Sequence, residues 1–216
     1  MEHMKQKLLR ASELLSLVSP VLTDASSIAR INAIQALISH CGRAHVAPDG
    51  VSHAYLEKTI QCLPCAVSSK FQGVFTLDKF DIKKTNMNAQ CSSWFIIINL
   101  ATRSSLLNGK VGHFVFFMKR NEEYCYIDPL GREPESPYVL NQICLNRKGY
   151  KHKYNSYKIQ SSGSAYCGIY CLCFALLFSD NTFKIDDLKK MFSLNDYDEL
   201  NDKRSVSYIT KYIQKM

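Results

Sequence analysis

The sequence predicts an α+β fold in which a central mixed β-sheet packs against one apolar helix, with an N-terminal helical extension in front. Apolar residues recur at helical spacing over residues 4–38, whereas short β-branched and aromatic runs dominate residues 71–127. The stretch from Ala165 to Phe178 is apolar on nearly every face, which is typical of a helix at the centre of a domain. These three observations together predict the α+β class.

Length and composition limit the classes of function. The length of 216 residues predicts one compact domain or a domain with an appendage, and a composition of 46% hydrophobic and 21% charged residues argues against disordered or fibrous classes. The formal net charge of +8 favours acidic partners such as nucleic acid without requiring them. We expect a protein that is neither secreted nor membrane-spanning, because no apolar run has the length of a signal peptide or a transmembrane helix. Its nine cysteines are therefore expected to be mostly reduced.

The N-terminal region predicts a pair of helices. The first covers residues 4–18, and a second follows the N-cap residues Asp24–Ser27 and carries an isoleucine- and leucine-rich stripe as far as residue 38. Glycine, proline and aspartate between Cys41 and Ser52 indicate a linker. We therefore divide the chain into an N-terminal helical arm and linker (1–52) and a main domain (53–216).

The main domain begins with strands and ends with helices. The predicted strands are residues 71–75, 94–100, 113–117 and 123–127. A turn at Arg120–Glu122 joins the last two strands, and Asp128–Gly131 ends the second of them. The predicted helices are the apolar stretch 165–178 and two amphipathic segments, 183–192 and 202–214.

Cys167 is the candidate nucleophile. It stands where the apolar helix begins, after the small polar loop Ser161–Ser164, and a helix N-terminus favours a thiolate. The missing side chain of Gly168 predicts close approach of a substrate backbone. The alternative is that Cys167, like Cys171 and Cys173, is a small apolar residue in a buried helix.

A reactive thiol needs a base, and His113 is the best placed of the six histidines because it follows Gly112 at the start of an aromatic strand. Asp128 ends the strand expected to pair with it, where a carboxylate could orient the imidazole. Gln160, seven residues before Cys167, could donate its amide to an oxyanion. Taken singly, each has a structural alternative: a packed histidine, an Asp-Pro turn or a surface glutamine.

The motifs that carry these residues are Gly112–Phe114, Cys125–Gly131 and Gln160–Cys171. Their sequences and spacing resemble adenain, the adenovirus-type cysteine protease, and the resemblance spans about residues 60–180. It implies an adenain-like cysteine protease fold with His113 as general base, Asp128 as its partner, Gln160 as oxyanion donor and Cys167 as nucleophile.

The resemblance also implies a biological role. A protease of this type would cleave viral capsid and core precursor proteins during virion maturation, in the virion and the host nucleus. The chemistry would need no metal or other cofactor, although DNA and an activating viral peptide are possible cofactors. In adenain such a peptide forms a disulfide with a cysteine that precedes the oxyanion glutamine, and Cys144 is the one cysteine of this sequence in that interval. SUMO-specific proteases share the order His, Asp, Gln, Cys, so deconjugation of a ubiquitin-like protein is the alternative. A non-catalytic DNA-binding or capsid-associated protein is the third hypothesis.

Two further groups of residues bear on binding. Basic residues alternate with tyrosines between positions 146 and 158, which predicts a nucleic-acid contact through Arg147, Lys148, Lys151, Lys153 and Lys158. A solvated loop is the alternative. Cys62 and Cys65 form a single CxxC pair, which we interpret as structural because a zinc site needs two further ligands.

Overall fold

The computed structural model describes residues 51–61, 63, 65–81, 92–108, 112–134, 151–161, 163–192, 194 and 199–214. Its helices are α1 (His53–Gln61), α2 (Cys65–Ser68), α3 (Arg103–Leu107), α4 (Cys167–Ser179), α5 (Leu188–Met191) and α6 (Glu199–Gln214), with a 3₁₀ turn at Ile185–Asp187. Its strands are β1 (Phe71–Thr76), β2 (Ser93–Asn99), β3 (Phe114–Arg120), β4 (Glu123–Ile127) and β5 (Lys151–Tyr154). The predicted N-terminal helices lie outside the described residues, so the arm and its boundary at residue 52 stay predictions.

The five strands form one sheet in the order β1-β2-β3-β4-β5. The two outer pairs, β1 with β2 and β4 with β5, are parallel, whereas β2, β3 and β4 are antiparallel neighbours. The predicted α+β fold with a central mixed sheet is therefore confirmed. Strands β1 to β4 are the four strands that the sequence predicts.

Both faces of the central strands β2 to β4 are buried. Phe95 and Phe116 lie on one face, where the ring of Phe116 packs edge-on against Phe174 of α4 with centroids 6.0 Å apart. Trp94 and Phe117 lie on the other face and contact each other at 5.9 Å. Alternate residues of one strand thus serve two separate clusters, as the two-residue period of a strand requires.

Helix α4 is the predicted apolar helix. It begins at Cys167 rather than Ala165, and every residue from Cys167 to Phe178 is buried, so the prediction of a central helix is confirmed. The predicted C-terminal segments correspond to the 3₁₀ turn with α5 and to α6. The sequence pattern does not predict α1, α2 or α3, none of which exceeds nine residues. Among the described residues, no helix is long and apolar enough to cross a membrane.

The edge strand β5 was also missed. Its four side chains are all exposed, so it lacks the apolar alternation by which a strand is recognised. Parallel pairing with β4 and contacts from its side chains fix it instead. His152 stacks on Tyr124 with ring centroids 5.7 Å apart, and Lys153 Nζ lies 2.7 Å from Glu123 Oε2.

Arg120, at the end of β3, ties the sheet to the C-terminus of α4. Its guanidinium donates hydrogen bonds to the carbonyl oxygens of Phe178, Asp180, Asn181 and Phe183, at 2.6 to 3.1 Å. It also lies over the ring of Phe178 at 4.6 Å. The last carbonyls of a helix have no partner within the helix, and this side chain supplies one.

We expect Arg120→Ala to lower the free energy of unfolding by about 2–3 kcal/mol, because it removes several charge-assisted hydrogen bonds at once. For a chain of this size that corresponds to a fall in Tm of roughly 5–10 °C, measurable by circular dichroism. Arg120→Lys, which keeps the charge but not the planar fork, should recover less than half of the loss. A Tm within 1 °C of the wild type for Arg120→Ala would contradict this assignment.

Candidate active site

Antiparallel pairing brings His113 and Asp128 to the same edge of the sheet. His113 directly precedes β3 and Asp128 directly follows β4, and Phe116 pairs with Ile127 in the register of these strands. The distance between His113 Nε2 and Asp128 Oδ1 is 2.6 Å. The imidazole is also hydrogen-bonded to the side chain of Cys167, the first residue of α4. Because Nε2 faces the carboxylate, Nδ1 is the ring nitrogen left for the sulfur.

The Asp128 side chain is shielded from solvent. It is completely buried, and Oδ1 also accepts a hydrogen bond from the backbone N–H of Leu130 at 2.7 Å. The Gly131 N–H donates to the Asp128 carbonyl, and Gly131 has a φ of +69°, which favours glycine. Asp128 therefore belongs both to a turn and to the imidazole contact, so the two alternatives in the sequence do not exclude each other.

Asn155 holds the backbone of Asp128, a role that the sequence pattern does not predict. Its buried side chain accepts a hydrogen bond from the Asp128 N–H at 2.8 Å and donates to the Asp128 carbonyl at 2.6 Å. A third hydrogen bond runs from Nδ2 to the carbonyl of Tyr157 at 2.9 Å. An asparagine within a polar run carries no local signal for such a contact, because Asp128 is 27 residues away along the chain.

The electrostatics of the site favour a charged imidazole. Burial alone would lower the pKa of His113, but the hydrogen bonds and negative charges of Asp128 and Cys167 outweigh it and raise the pKa to about 9. His113 is therefore an imidazolium at neutral pH. A cation beside a sulfur stabilises the negative charge of a thiolate, which is the reactive form of cysteine.

The raised pKa of His113 predicts a pH-dependent stability. A group whose pKa is raised on folding stabilises the fold fully below its unfolded value of 6.5, and this contribution is lost as pH rises through about 9. We expect the free energy of unfolding to fall by about 2–3 kcal/mol over that window, for a side chain that is 18% exposed. Urea unfolding of the wild type and His113→Gln at pH 6 to 10 measures it. The same pH dependence in both proteins would contradict the prediction.

The other cysteines of α4 differ from Cys167. Cys171 and Cys173 are completely buried, and burial raises the pKa of both thiols well above the ordinary value. They are the small apolar residues that the alternative hypothesis describes. Cys167 differs from them because it is 9% exposed and its side chain is hydrogen-bonded to the imidazole of His113.

Gln160 lies next to the turn that carries Asp128. The backbone N–H groups of Ile159 and Gln160 both donate to the carbonyl of Pro129, at 3.0 and 2.9 Å. The buried side-chain amide of Gln160 donates to the carbonyl of Ser164 at 2.6 Å. An amide nitrogen carries two hydrogens, so this bond leaves a second donor. Its predicted use as an oxyanion donor stays a prediction.

Two glycines flank the candidate residues. A side chain on Gly112 would overlap the carboxamide of Asn99, which is buried and accepts from the N–H of Ala101. A Cβ at position 168 would lie 3.0 Å from the Cβ of Val51. The missing side chain of Gly168 therefore makes room for the protein's own core rather than for a substrate. The predicted substrate approach at Gly168 is therefore replaced by tight packing.

We expect Gly112→Ala to slow the reaction of Cys167 with iodoacetamide about 100-fold, because relief of the overlap with Asn99 should shift the backbone next to His113. Peptide-resolved mass spectrometry measures the rate. Gly163→Ala is the matched control, since a Cβ there meets no atom within 4 Å. Equal rates for the two variants would show that Gly112 does not position the imidazole.

The basic segment is only partly described. Lys151 and Lys153 are exposed on β5, Lys158 is half-buried, and Arg147 and Lys148 lie outside the described residues. Lys153 pairs with Glu123 rather than standing as an unopposed charge, and nucleic-acid binding by the segment stays a prediction. Cys144 and Cys62 also lie outside the described residues. Within the part of the chain that the structure describes, no group of three or more histidine, cysteine or acidic side chains could hold a metal ion.

Comparison with solved structures shows that the chain shares its fold with a protease. It is similar to the crystal structure of the ASFV pS273R protease, with a TM-score of 0.50 and 14% identity over 97% of this chain and 89% of that one. The C-terminal Ulp1 protease domain in complex with Smt3, the yeast ortholog of SUMO, gives a TM-score of 0.44 and 13% identity over 82% of both chains. No protein-family model and no curated protein sequence matches the chain.

Proposed function

We propose that this protein is a cysteine peptidase. The observation that carries the proposal is the hydrogen-bonded series from Asp128 through His113 to Cys167, in which a buried carboxylate, a charged imidazole and a thiol at a helix N-terminus meet. A sulfur activated by an imidazolium that a carboxylate orients is the arrangement of thiol-dependent acyl transfer. The shared fold with a protease supports this, although a fold alone does not define chemistry.

The reaction follows from these roles. The Cys167 thiolate attacks the scissile carbonyl carbon, and the carbonyl π electrons move to oxygen, where Gln160 and backbone N–H groups stabilise the oxyanion. As the intermediate collapses, the C–N bond breaks and the His113 imidazolium gives its proton to the departing amine. The neutral imidazole then takes a proton from water, which attacks the thioester. Collapse of the second intermediate releases the acid and regenerates the thiolate and the imidazolium.

The proposed substrates are folded or extended proteins, in particular the precursor polypeptides of a virus particle. The motif resemblance to adenain supports this role, and the fold shared with the ASFV pS273R protease supports a peptidase. In this role, cleavage accompanies virion maturation in the host nucleus and the virion, and DNA and a viral peptide are possible activators. Release of a ubiquitin-like protein from a conjugate is the competing outcome.

The test is incubation of the full chain with a proteome-derived peptide library and, separately, with SUMO bearing a C-terminal aminomethylcoumarin. Mass spectrometry of the library products and fluorescence of the released coumarin are compared with those of Cys167→Ala. Parallel reactions contain double-stranded DNA. Internal cleavage of library peptides supports an endopeptidase, whereas release from SUMO alone supports a deconjugating enzyme. The absence of both activities, with Cys167 reacting no faster than the other cysteines, would favour the non-catalytic hypothesis.

A further inference from the structure

A buried carboxylate on the last described helix, α6, is hydrogen-bonded to residues on both sides of Cys167 but does not contact the His113 imidazole in any described hydrogen bond. Asp202 of α6 is 3% exposed, and its carboxylate accepts hydrogen bonds from two hydroxyl groups. Ser164 Oγ donates to Oδ2 at 2.8 Å, and the Tyr170 hydroxyl donates to Oδ1 at 2.9 Å. Ser164 belongs to the loop before Cys167, and Tyr170 lies one helical turn after it.

Ser164 connects Asp202 to Gln160. Its carbonyl accepts the side-chain amide of Gln160 at 2.6 Å, while its hydroxyl donates to Asp202 and accepts from the Tyr166 N–H at 3.2 Å. The carbonyl that fixes the rotation of the Gln160 amide thus belongs to a residue that Asp202 holds by its side chain. Without that hydroxyl bond, the loop and the amide attached to it lose a restraint.

The same network holds the backbone just before Gln160. Asn201 Nδ2, next to Asp202 on α6, donates to the carbonyl of Ile159 at 3.0 Å. The Tyr170 hydroxyl lies 3.1 Å from the same carbonyl oxygen, so its hydrogen is shared between Ile159 and Asp202. Burial, followed by the charge of Asp202, raises the pKa of Tyr170, so the phenol remains a donor.

The charge of Asp202 matters as well as its shape. A carboxylate away from water is costly unless its oxygens accept hydrogen bonds, and a charged acceptor forms shorter, stronger bonds than a neutral amide. Since Tyr170 and Ser164 are both hydroxyl donors, an ionised carboxylate satisfies both at once. An asparagine would keep the shape but offer one acceptor oxygen in place of two.

We infer that Asp202 is a positioning residue that, through Ser164, holds the Gln160 amide in the orientation that binds the oxyanion. The inference rests on the proposed function and deepens it. Asp202 is 42 residues from Gln160 along the chain and takes no part in proton transfer. Its loss should therefore impair steps that form an oxyanion and leave other reactions of Cys167 unchanged.

Two probes of Cys167 separate these effects. Hydrolysis of p-nitrophenyl acetate passes through an oxyanion, whereas alkylation by iodoacetamide is a displacement at carbon that forms none. We expect Asp202→Asn to lower kcat for the ester about 10-fold, with KM and the alkylation rate unchanged. Gln160→Ala should lower kcat about 100-fold. The double variant should be no slower than Gln160→Ala alone, because both changes act on one donor.

The controls separate positioning from stability and from the proposed function itself. Arg120→Ala, a destabilised variant outside this network, should keep the wild-type kcat well below its Tm. If Asp202→Asn does not fold, Ser164→Ala breaks the same connection and is expected to behave alike. Additive losses in the double variant, or equal loss of ester hydrolysis and alkylation, would overturn the positioning role alone. A wild type that neither hydrolyses the ester nor alkylates preferentially at Cys167 would overturn the proposed function.

Discussion

Replacing Cys167 with alanine is expected to abolish hydrolysis, with a loss of about 10⁴-fold or more in kcat for any cleaved peptide. The variant keeps the imidazole and the carboxylate but lacks the sulfur that forms the acyl bond, so no covalent intermediate can form. The measurement is product formation over hours at high protein concentration, followed by mass spectrometry. The fold should be retained, because Cys167 contributes one small, nearly buried side chain at the start of α4.

Cys173→Ala is the matched control for this variant. Cys173 lies on the same helix, is completely buried, and has a thiol whose pKa burial raises. We expect its kcat to stay within about twofold of the wild type, with a small loss of stability from the cavity. Full activity in Cys167→Ala, or loss of activity in Cys173→Ala without unfolding, would show that another group carries the reaction.

Asp128→Asn is expected to lower kcat by about 10² to 10⁴-fold. The Asp128 carboxylate is a principal cause of the raised pKa of His113, and burial opposes it. With the charge removed, the His113 pKa should fall from about 9 towards or below its ordinary value. The imidazolium is then lost at neutral pH, and Cys167 loses its stabilising cation. The measurement is the rate of Cys167 alkylation by iodoacetamide at pH 5 to 10, and we expect Asp128→Asn to react more slowly than the wild type at pH 7.

The pH profile distinguishes this effect from a loss of packing. Asp202→Asn makes the same change of charge beneath the site, and we expect it to leave the profile of Cys167 alkylation unchanged. An Asp128→Asn protein that alkylates like the wild type at every pH would mean that the 2.6 Å contact to His113 does not control the charge of the ring.

The sequence predicts the parts of this molecule whose signals are local. Strands β2 to β4 are apolar and aromatic because both of their faces are buried, and α4 is apolar all round because it lies in the core. The meeting of His113 and Asp128 was also predictable, since a hairpin brings the start of one strand close to the end of the next.

The missed features depend on partners distant in sequence. Strand β5 has four exposed side chains, so only its backbone pairing with β4 identifies it. Asn155 and Asp202 resemble ordinary polar residues in the sequence, yet both are buried. Asn155 is hydrogen-bonded to a residue 27 positions away, and Asp202 to a residue 38 positions away. Gly168 was interpreted as a substrate contact because nothing local indicates Val51 as its neighbour. Buried polar networks are specified by tertiary contacts, which periodicity does not report.

The charge of the His113 ring can be measured without any substrate, and it shows whether the imidazole interacts with both Asp128 and Cys167. Nitrogen-15 NMR of the protein with labelled histidine, assigned by comparison with His113→Ala, follows the ring through pH 5 to 11. We predict an imidazolium at pH 7.5 that titrates near pH 9 and at lower pH in Cys167→Ala, since the sulfur contributes to the shift. A neutral ring that titrates near 6.5 in both proteins would contradict the pairing of His113 with Cys167.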